Sequence, residues 1–116
     1  MAITQLMMGY QASGVTPAVV TVSPDPSDGL SVAPGQASTN ATAGIVGGIG
    51  PFTYLWTITS GGVGCTLTNT TTATCTVTTN TGLPQTRTGT WNVDVTDTGN
   101  GGLVSSDTGT FNLEVV

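Results

Sequence analysis

The stretch FTYLWTIT, residues 52–59, decides the fold class of this chain. Its large side chains occupy every second position (Phe52, Tyr54, Trp56 and Ile58), with threonine at most positions between them. Because successive side chains of a β-strand point to opposite faces of a sheet, this alternation predicts a strand with one buried and one exposed face. A register slip of one residue would move all four large side chains into water, so the register is well specified.

The same two-residue period recurs along most of the chain. Apolar and polar residues alternate in runs 36–43, 63–67, 73–77, 91–95 and 111–115, and shorter strands are predicted at 18–22 and 30–33. Seventeen glycines and six prolines supply frequent turn signals, and residues 44–50 are predicted to be a glycine-rich connection. Seven to eight short strands predict an all-β sandwich or barrel. Trp56, Trp91 and Phe111 lie in phase with the apolar faces and are the predicted core.

The first sixteen residues differ from the rest. Ile3, Leu6, Met7 and Tyr10 follow the spacing of one helix face, but the run is too short to form a stable helix alone. We therefore predict two parts: an N-terminal arm at 1–16 and a β-domain at 17–116. These four side chains would dock on a partner; the alternative is a frayed arm with no such role.

Composition excludes several functions. Charged residues are 6% of the 116 residues, the net charge is −5, and Arg87 is the single basic residue. A nucleic-acid or anionic-membrane partner requires a basic patch, so neither is expected. Residues 1–8 lack the basic and apolar regions of a secretory signal. The expected localisation is the exterior of a virus particle made in the host cytoplasm and released by lysis. An unrecognised secretion route or a trimmed chain would also explain the missing signal.

Three stretches together resemble a known family. GGIGPFTYLW at 47–56 resembles the turn and third strand of bacterial immunoglobulin-like domains of the polycystic-kidney-disease (PKD) type. GTWNVDVTD at 89–97 and GTFNLEV at 109–115 resemble their last two strands, with an aromatic at Trp91 and an aspartate at Asp97. The resemblance covers about residues 17–116 and implies an immunoglobulin-like β-sandwich. Similar domains occur on virions of tailed bacteriophages, although a fold alone does not establish that role.

The cysteines depart from the antibody pattern. Antibody domains join their second and sixth strands by a disulfide beside a tryptophan, whereas Cys65 and Cys75 lie in neither predicted strand. Trp56 is therefore expected to pack on aliphatic and small residues. In a hairpin centred on Thr70, the two cysteines would lie opposite each other; if the second run belongs to the other sheet, they could meet across the core. A pair of buried thiols and a Cys65–Cys75 disulfide both remain open.

The acidic residues offer little catalytic chemistry. Asp94, Asp97 and Asp107 flank the last predicted hairpin and are weak candidates for a calcium site, which needs several oxygen ligands; solvated turn residues are the alternative. The chain has no histidine, so a usual catalytic triad is excluded, and no cofactor is expected. We predict that the protein is not an enzyme.

Three functions fit these features. The first is a virion structural protein of a tailed phage, a small decoration or accessory protein on head, neck or tail. Its partners would be capsid or tail subunits and further copies of itself, with exposed Thr/Asn faces as binding surfaces. The second is an adhesion module for host-surface carbohydrate, which an exposed Phe52 or Tyr54 would favour. The third is an immunoglobulin-like module of a larger secreted protein.

Overall fold

The structure, a computed structural model, describes residues 16–116. These residues are almost entirely β, which confirms the predicted fold class. The strands, with one 3-10 turn at Thr98–Asn100 before β8, are β1 (Val19–Ser23), β2 (Ser27–Ala33), β3 (Gln36–Val46), β4 (Phe52–Gly61), β5 (Cys65–Thr68), β6 (Thr74–Asn80), β7 (Gln85–Asp97) and β8 (Leu103–Val115).

The strands form two layers that share β2. One layer, here called the β3 sheet, has the order β1-β3-β6-β5; the other, the β7 sheet, has the order β4-β7-β8. Residues 27–30 of β2 pair in parallel with β8, and Ser31 and Ala33 pair antiparallel with β3. Through β2 the two layers form one continuous arrangement of eight strands.

The position of β2 between the layers requires a glycine. Gly29 lies opposite Leu113 of β8, and a Cβ atom there would overlap the carbonyl oxygen of Ser38 and lie 2.8 Å from the Leu113 side chain. Residue 29 therefore approaches both β3 and β8 more closely than any side chain would allow. Here β2 passes from the β7 sheet to the β3 sheet.

The core fills the space between the layers. Trp56, Trp91 and Phe111, the predicted core residues, are 1%, 0% and 1% exposed. The Trp56 and Trp91 ring centroids lie 5.3 Å apart at an interplanar angle of 59°, and those of Trp91 and Phe111 lie 5.5 Å apart in an edge-on arrangement. Trp56 was expected to pack on aliphatic and small residues, which are present in the same core cluster. The sequence did not predict that Trp91 is also its direct neighbour.

The β3 sheet contributes small side chains to the same core. Ala37, Ala41, Ala43, Cys75 and Val77 point inward and are buried in the cluster that contains both tryptophans. Since protein interiors are close-packed, this small inner face complements the two large rings on β4 and β7. The two-residue period of the sequence therefore predicted the inward-facing residues of both layers.

Strand β3 is longer than its sequence predicts. Residues 44–46 belong to β3, because β1 pairs with them through Val19↔Val46 and Thr21↔Gly44. The glycine-rich connection is therefore confined to residues 47–51. Glycine residues had suggested a loop, but pairing with a neighbouring strand keeps Gly44 and its neighbours extended.

We expect Leu113→Ala to lower the free energy of unfolding by about 2–5 kcal/mol, because it empties volume in a close-packed core. Leu113 is 0% exposed. Leu55→Ala is the matched control, since Leu55 is 50% exposed on the outer face of β4, and its loss should stay below about 1 kcal/mol. Urea denaturation measures both; equal losses would contradict this core assignment.

Candidate functional site

The arm residues Ile3, Leu6, Met7 and Tyr10 lie outside the described residues. The structure does define where the arm joins the domain. The Gly48 N–H donates a 2.7 Å hydrogen bond to the carbonyl oxygen of Thr16. Residue 16 therefore lies against the β3–β4 loop, at the end of the domain where β7 ends and β8 begins.

Asp97 holds this loop in place. It is 1% exposed at the end of β7, and its carboxylate oxygens accept hydrogen bonds from the backbone N–H groups of Ile49 (2.9 Å) and Gly50 (2.8 Å). Bonds to an ionised acceptor are stronger than neutral ones. Gly48 has a positive φ of 76°, and a Cβ there would lie 2.6 Å from the carboxylate, so the cradle requires glycine.

A second set of bonds joins the same two segments. The Thr98 N–H and hydroxyl donate to the carbonyl oxygen of Pro51, at 3.1 and 2.8 Å. Together with Asp97, they connect the β3–β4 loop to the segment between β7 and β8. We call this group, residues 47–51 with Asp97 and Thr98, the loop lock. Thr16 is hydrogen-bonded directly to it.

Asp107 connects the two layers at the open side of β8. Its carboxylate accepts a 2.8 Å bond from the Val22 N–H on β1, and the Ser105 hydroxyl donates a 2.8 Å bond to the carbonyl oxygen of Ala18. Asp107 therefore bonds a backbone group of β1, and Ser105 bonds the residue directly before β1. They hold β1, the strand nearest the arm, against β8.

Asp94 has a different environment. It lies on the outer face of β7, where it accepts bonds from the Ser106 hydroxyl (2.6 Å) and the Asn92 amide (2.9 Å). These two bonds, Ser106 first, hold the pKa of Asp94 below its ordinary value.

The calcium site suggested by Asp94, Asp97 and Asp107 is therefore wrong. Asp94 points outward while Asp97 and Asp107 point inward, since neighbouring positions of a strand alternate faces. Asp97 pairs with Leu103, and Asp107 pairs with Val93. The two inward carboxylates are therefore offset by four positions along the strands. Within residues 16–116, no group of three or more metal-binding side chains comes together.

Cys65 and Cys75 do not face each other. The β5–β6 hairpin pairs Cys65 with Thr79 and Leu67 with Val77, so its centre lies beyond Thr70 and the predicted opposition was wrong. Both cysteines are free thiols, and the disulfide alternative is not observed. Burial raises the pKa of both thiols above their ordinary value, to about 11 for Cys75.

Arg87 lies at the other end of the core, near Gly64 and Cys65. Its Nε atom is buried without a hydrogen-bond partner in the described part of the chain. The sequence predicted no role for it. Burial raises the pKa of the Cys65 thiol by more than the neighbouring guanidinium lowers it. The thiol is therefore not activated.

Phe52 and Tyr54 are half-buried and pack against the core cluster. The Phe52 ring lies beside the loop lock, within 3.0 Å of the Cβ position at Gly48. Neither side chain is largely exposed, so this region gives no specific support to a carbohydrate platform.

The outer face of the β3 sheet is a different kind of surface. It consists of the even-numbered positions of β3, β5 and β6 and the odd-numbered positions of β1; we call it the threonine face. Apart from Gly44 and the exposed Val19–Val46 pair, it carries threonine, serine, asparagine and glutamine, and no charged residue. It is the Thr/Asn surface that the sequence proposed for binding.

The comparisons with known proteins identify no relative. No protein-family profile, no curated protein and no solved structure matches this chain. In the described residues, no helix has the length and apolar character needed to cross a membrane.

We expect Asp97→Ala to lower the free energy of unfolding by roughly 2–4 kcal/mol, because it leaves two backbone N–H groups without their charged acceptor. Hydrogen exchange at the Ile49 and Gly50 amides should accelerate with it. The control is Asp28→Ala, which removes an exposed carboxylate and should change stability by less than about 0.5 kcal/mol. Unchanged exchange at both amides would rule out the loop lock.

We expect Cys75 to resist alkylation at neutral pH in the folded protein, because it is buried and its pKa of about 11 keeps it protonated. Half-buried Cys65 should react slowly, and both should react in denaturant. Mass spectrometry with and without denaturant counts the modified thiols, and Cys65→Ser and Cys75→Ala assign them. Denatured protein that still fails to react would indicate a disulfide instead.

Proposed function

We propose that this protein is a non-catalytic structural protein on the exterior of a tailed-bacteriophage virion. It would be a small decoration or accessory protein on head, neck or tail. Its arm residues Ile3, Leu6, Met7 and Tyr10 bury against capsid or tail subunits, and the β-domain projects outward in many copies. The resemblance to PKD-type domains of residues 47–56, 89–97 and 109–115 places such proteins among the candidates.

The observation that carries the proposal is how the last residue of the arm is held on the domain. Thr16 is hydrogen-bonded to Gly48, and the loop containing Gly48 is held by the buried Asp97 carboxylate. Asp107 and Ser105 in turn hold β1 against β8. The last residue of the arm, Thr16, is therefore bonded to a loop that is itself held by a buried carboxylate. This is what an anchored structural protein requires.

The chemistry of the described side chains supports binding rather than catalysis. The carboxylates of Asp94, Asp97 and Asp107 each accept hydrogen bonds from the protein itself, which leaves them poorly suited to acid–base work on a substrate. The Cys65 and Cys75 thiols have raised pKa values, which disfavours the nucleophilic thiolate.

The adhesion and secreted-module alternatives gain no specific support. A carbohydrate-binding module would use an exposed aromatic platform or a calcium site. Phe52 and Tyr54 are half-buried, and the three candidate aspartates are separated. A module of a larger secreted protein would share the fold, and it is distinguished by where the protein is found.

The test is mass spectrometry of purified phage particles from the source, with quantification of copies per particle. A high copy number that matches the symmetry of head or tail supports the proposal. Absence from every particle overturns it.

We expect the full-length variant with Ile3, Leu6, Met7 and Tyr10 all changed to serine to lose occupancy on particles, because the apolar area that docking buries is removed. Its melting temperature should match that of the wild type. The control changes polar arm residues Thr4 and Gln5 to serine and should assemble normally. Full occupancy by the fourfold variant would show that the arm is not the anchor.

A further inference from the structure

The charges of this protein are distributed unevenly between its two layers. Asp94, Asp97 and Arg87 lie on β7, Asp107 and Glu114 on β8, Asp28 on the part of β2 that pairs with β8, and Asp25 in the preceding turn. Strands β1, β3, β5 and β6 contain no charged residue. The net charge of −5 therefore lies on the β7 side, and the threonine face is uncharged.

The side chains of the threonine face are ordered in rows across the strands. Ser38 and Thr78 hydroxyls lie 3.2 Å apart, and those of Thr42 and Thr74 lie 2.8 Å apart. Between these pairs, Asn40, Thr76 and Thr68 lie side by side by register. The hydroxyls are held by their neighbours, so less rotamer freedom remains to be lost on contact.

A surface of hydroxyls and amides can match a copy of itself. Each serine or threonine hydroxyl both donates and accepts, and each asparagine or glutamine amide carries both functions. A carboxylate facing its own copy would be repelled, but a hydroxyl facing its own copy can bond. A twofold interface brings the same patch of both subunits together, so it requires this self-complementarity.

We propose that the threonine face is a self-association surface, on which a second copy of this chain packs face to face around a twofold axis. This orientation also places the acidic β7 sides of both copies outward, as far apart as the fold allows. The exposed Val19–Val46 pair at one end, 59% and 73% exposed, adds apolar area to the contact. The proposal deepens the proposed function by naming the surface through which copies on a particle meet.

The size of the face sets the strength of the contact. Four strands about 4.8 Å apart and about 22 Å long give roughly 400 Å² per copy. The pair would bury roughly 800 Å², below the range of stable dimers, so the isolated complex is weak. Many copies held on one particle would make such contacts effective, because tethering replaces free encounter with a high local concentration.

The experiment is sedimentation equilibrium of the full chain at near-physiological salt, over a concentration series that reaches about 1 mM. The wild type should show reversible, concentration-dependent dimers. Thr76→Glu introduces a carboxylate at the centre of the threonine face, where two copies would oppose each other. It should weaken association by at least about tenfold.

The matched control is Thr57→Glu, on the outer face of β4. This variant has the same net charge as Thr76→Glu and carries the same substitution on the other layer. Its dimer dissociation constant should stay within about threefold of the wild-type value. Melting temperatures establish that both variants fold.

Two outcomes would overturn the proposal. One is a wild type that stays monomeric throughout the series; the other is association that Thr57→Glu weakens as much as Thr76→Glu. Neither result contradicts the proposed virion function, because the copy number on particles is measured separately. Conversely, a protein that forms these dimers but is absent from particles would support the self-association surface and overturn the virion function.

Discussion

The structure depends on how two tryptophans share one core. Trp56 and Trp91 come from neighbouring strands of one layer and lie 5.3 Å apart, and the opposite layer offers mainly alanine, cysteine and valine to meet them. Large rings on one inner face and small side chains on the other fill the space at the density of a protein interior. An antibody domain joins its layers by a disulfide. Here both cysteines are free thiols, and the aromatic pair is buried in the core between the layers.

Few charges are present, and most of them have structural partners. Asp97 accepts the hydrogen bonds of the loop lock, and Asp107 accepts one from β1. Asp94 accepts hydrogen bonds from two side chains on the outer face of the β7 sheet. Asp25 accepts bonds from the N–H and hydroxyl of Thr110. A carboxylate can accept several hydrogen bonds at once, which suits it to sites where a turn exposes unpaired backbone N–H groups. The remaining surface is largely hydroxyl and amide.

The alternation of residues predicted most of the fold, and the limits of that prediction have physical causes. The inner faces of β4, β7 and β8 follow from period two alone, since their large residues define one side. The β5–β6 register was not predicted correctly, because the threonines at 68 and 70–72 do not specify the position of a turn. Asn69 adopts a positive φ of 62° there, a conformation that asparagine tolerates. This asparagine was the signal in the sequence that marks the turn.

The candidate site was harder to predict than the core. The sequence grouped Asp94, Asp97 and Asp107 by closeness along the chain, although the parity of their positions already separates Asp94 from the other two. It could not show that Asp97 bonds backbone groups nearly fifty residues earlier, because backbone N–H groups carry no residue-specific signature. The charge-free character of strands β1, β3, β5 and β6 was visible in the sequence, but its meaning required knowing that these strands form one layer.

The parallel pairing of β2 with β8 has a mechanical consequence. The chain enters at the loop-lock end, and both β2 and β8 run away from that end, so β8 finishes at the opposite pole. Tension between the arm and the C-terminus therefore pulls the two strands in opposite directions along their own axes. The bonds between residues 27–30 and 111–114 are then sheared together instead of being opened one after another. Stretching along this axis would meet its greatest resistance at the strand that belongs to both layers.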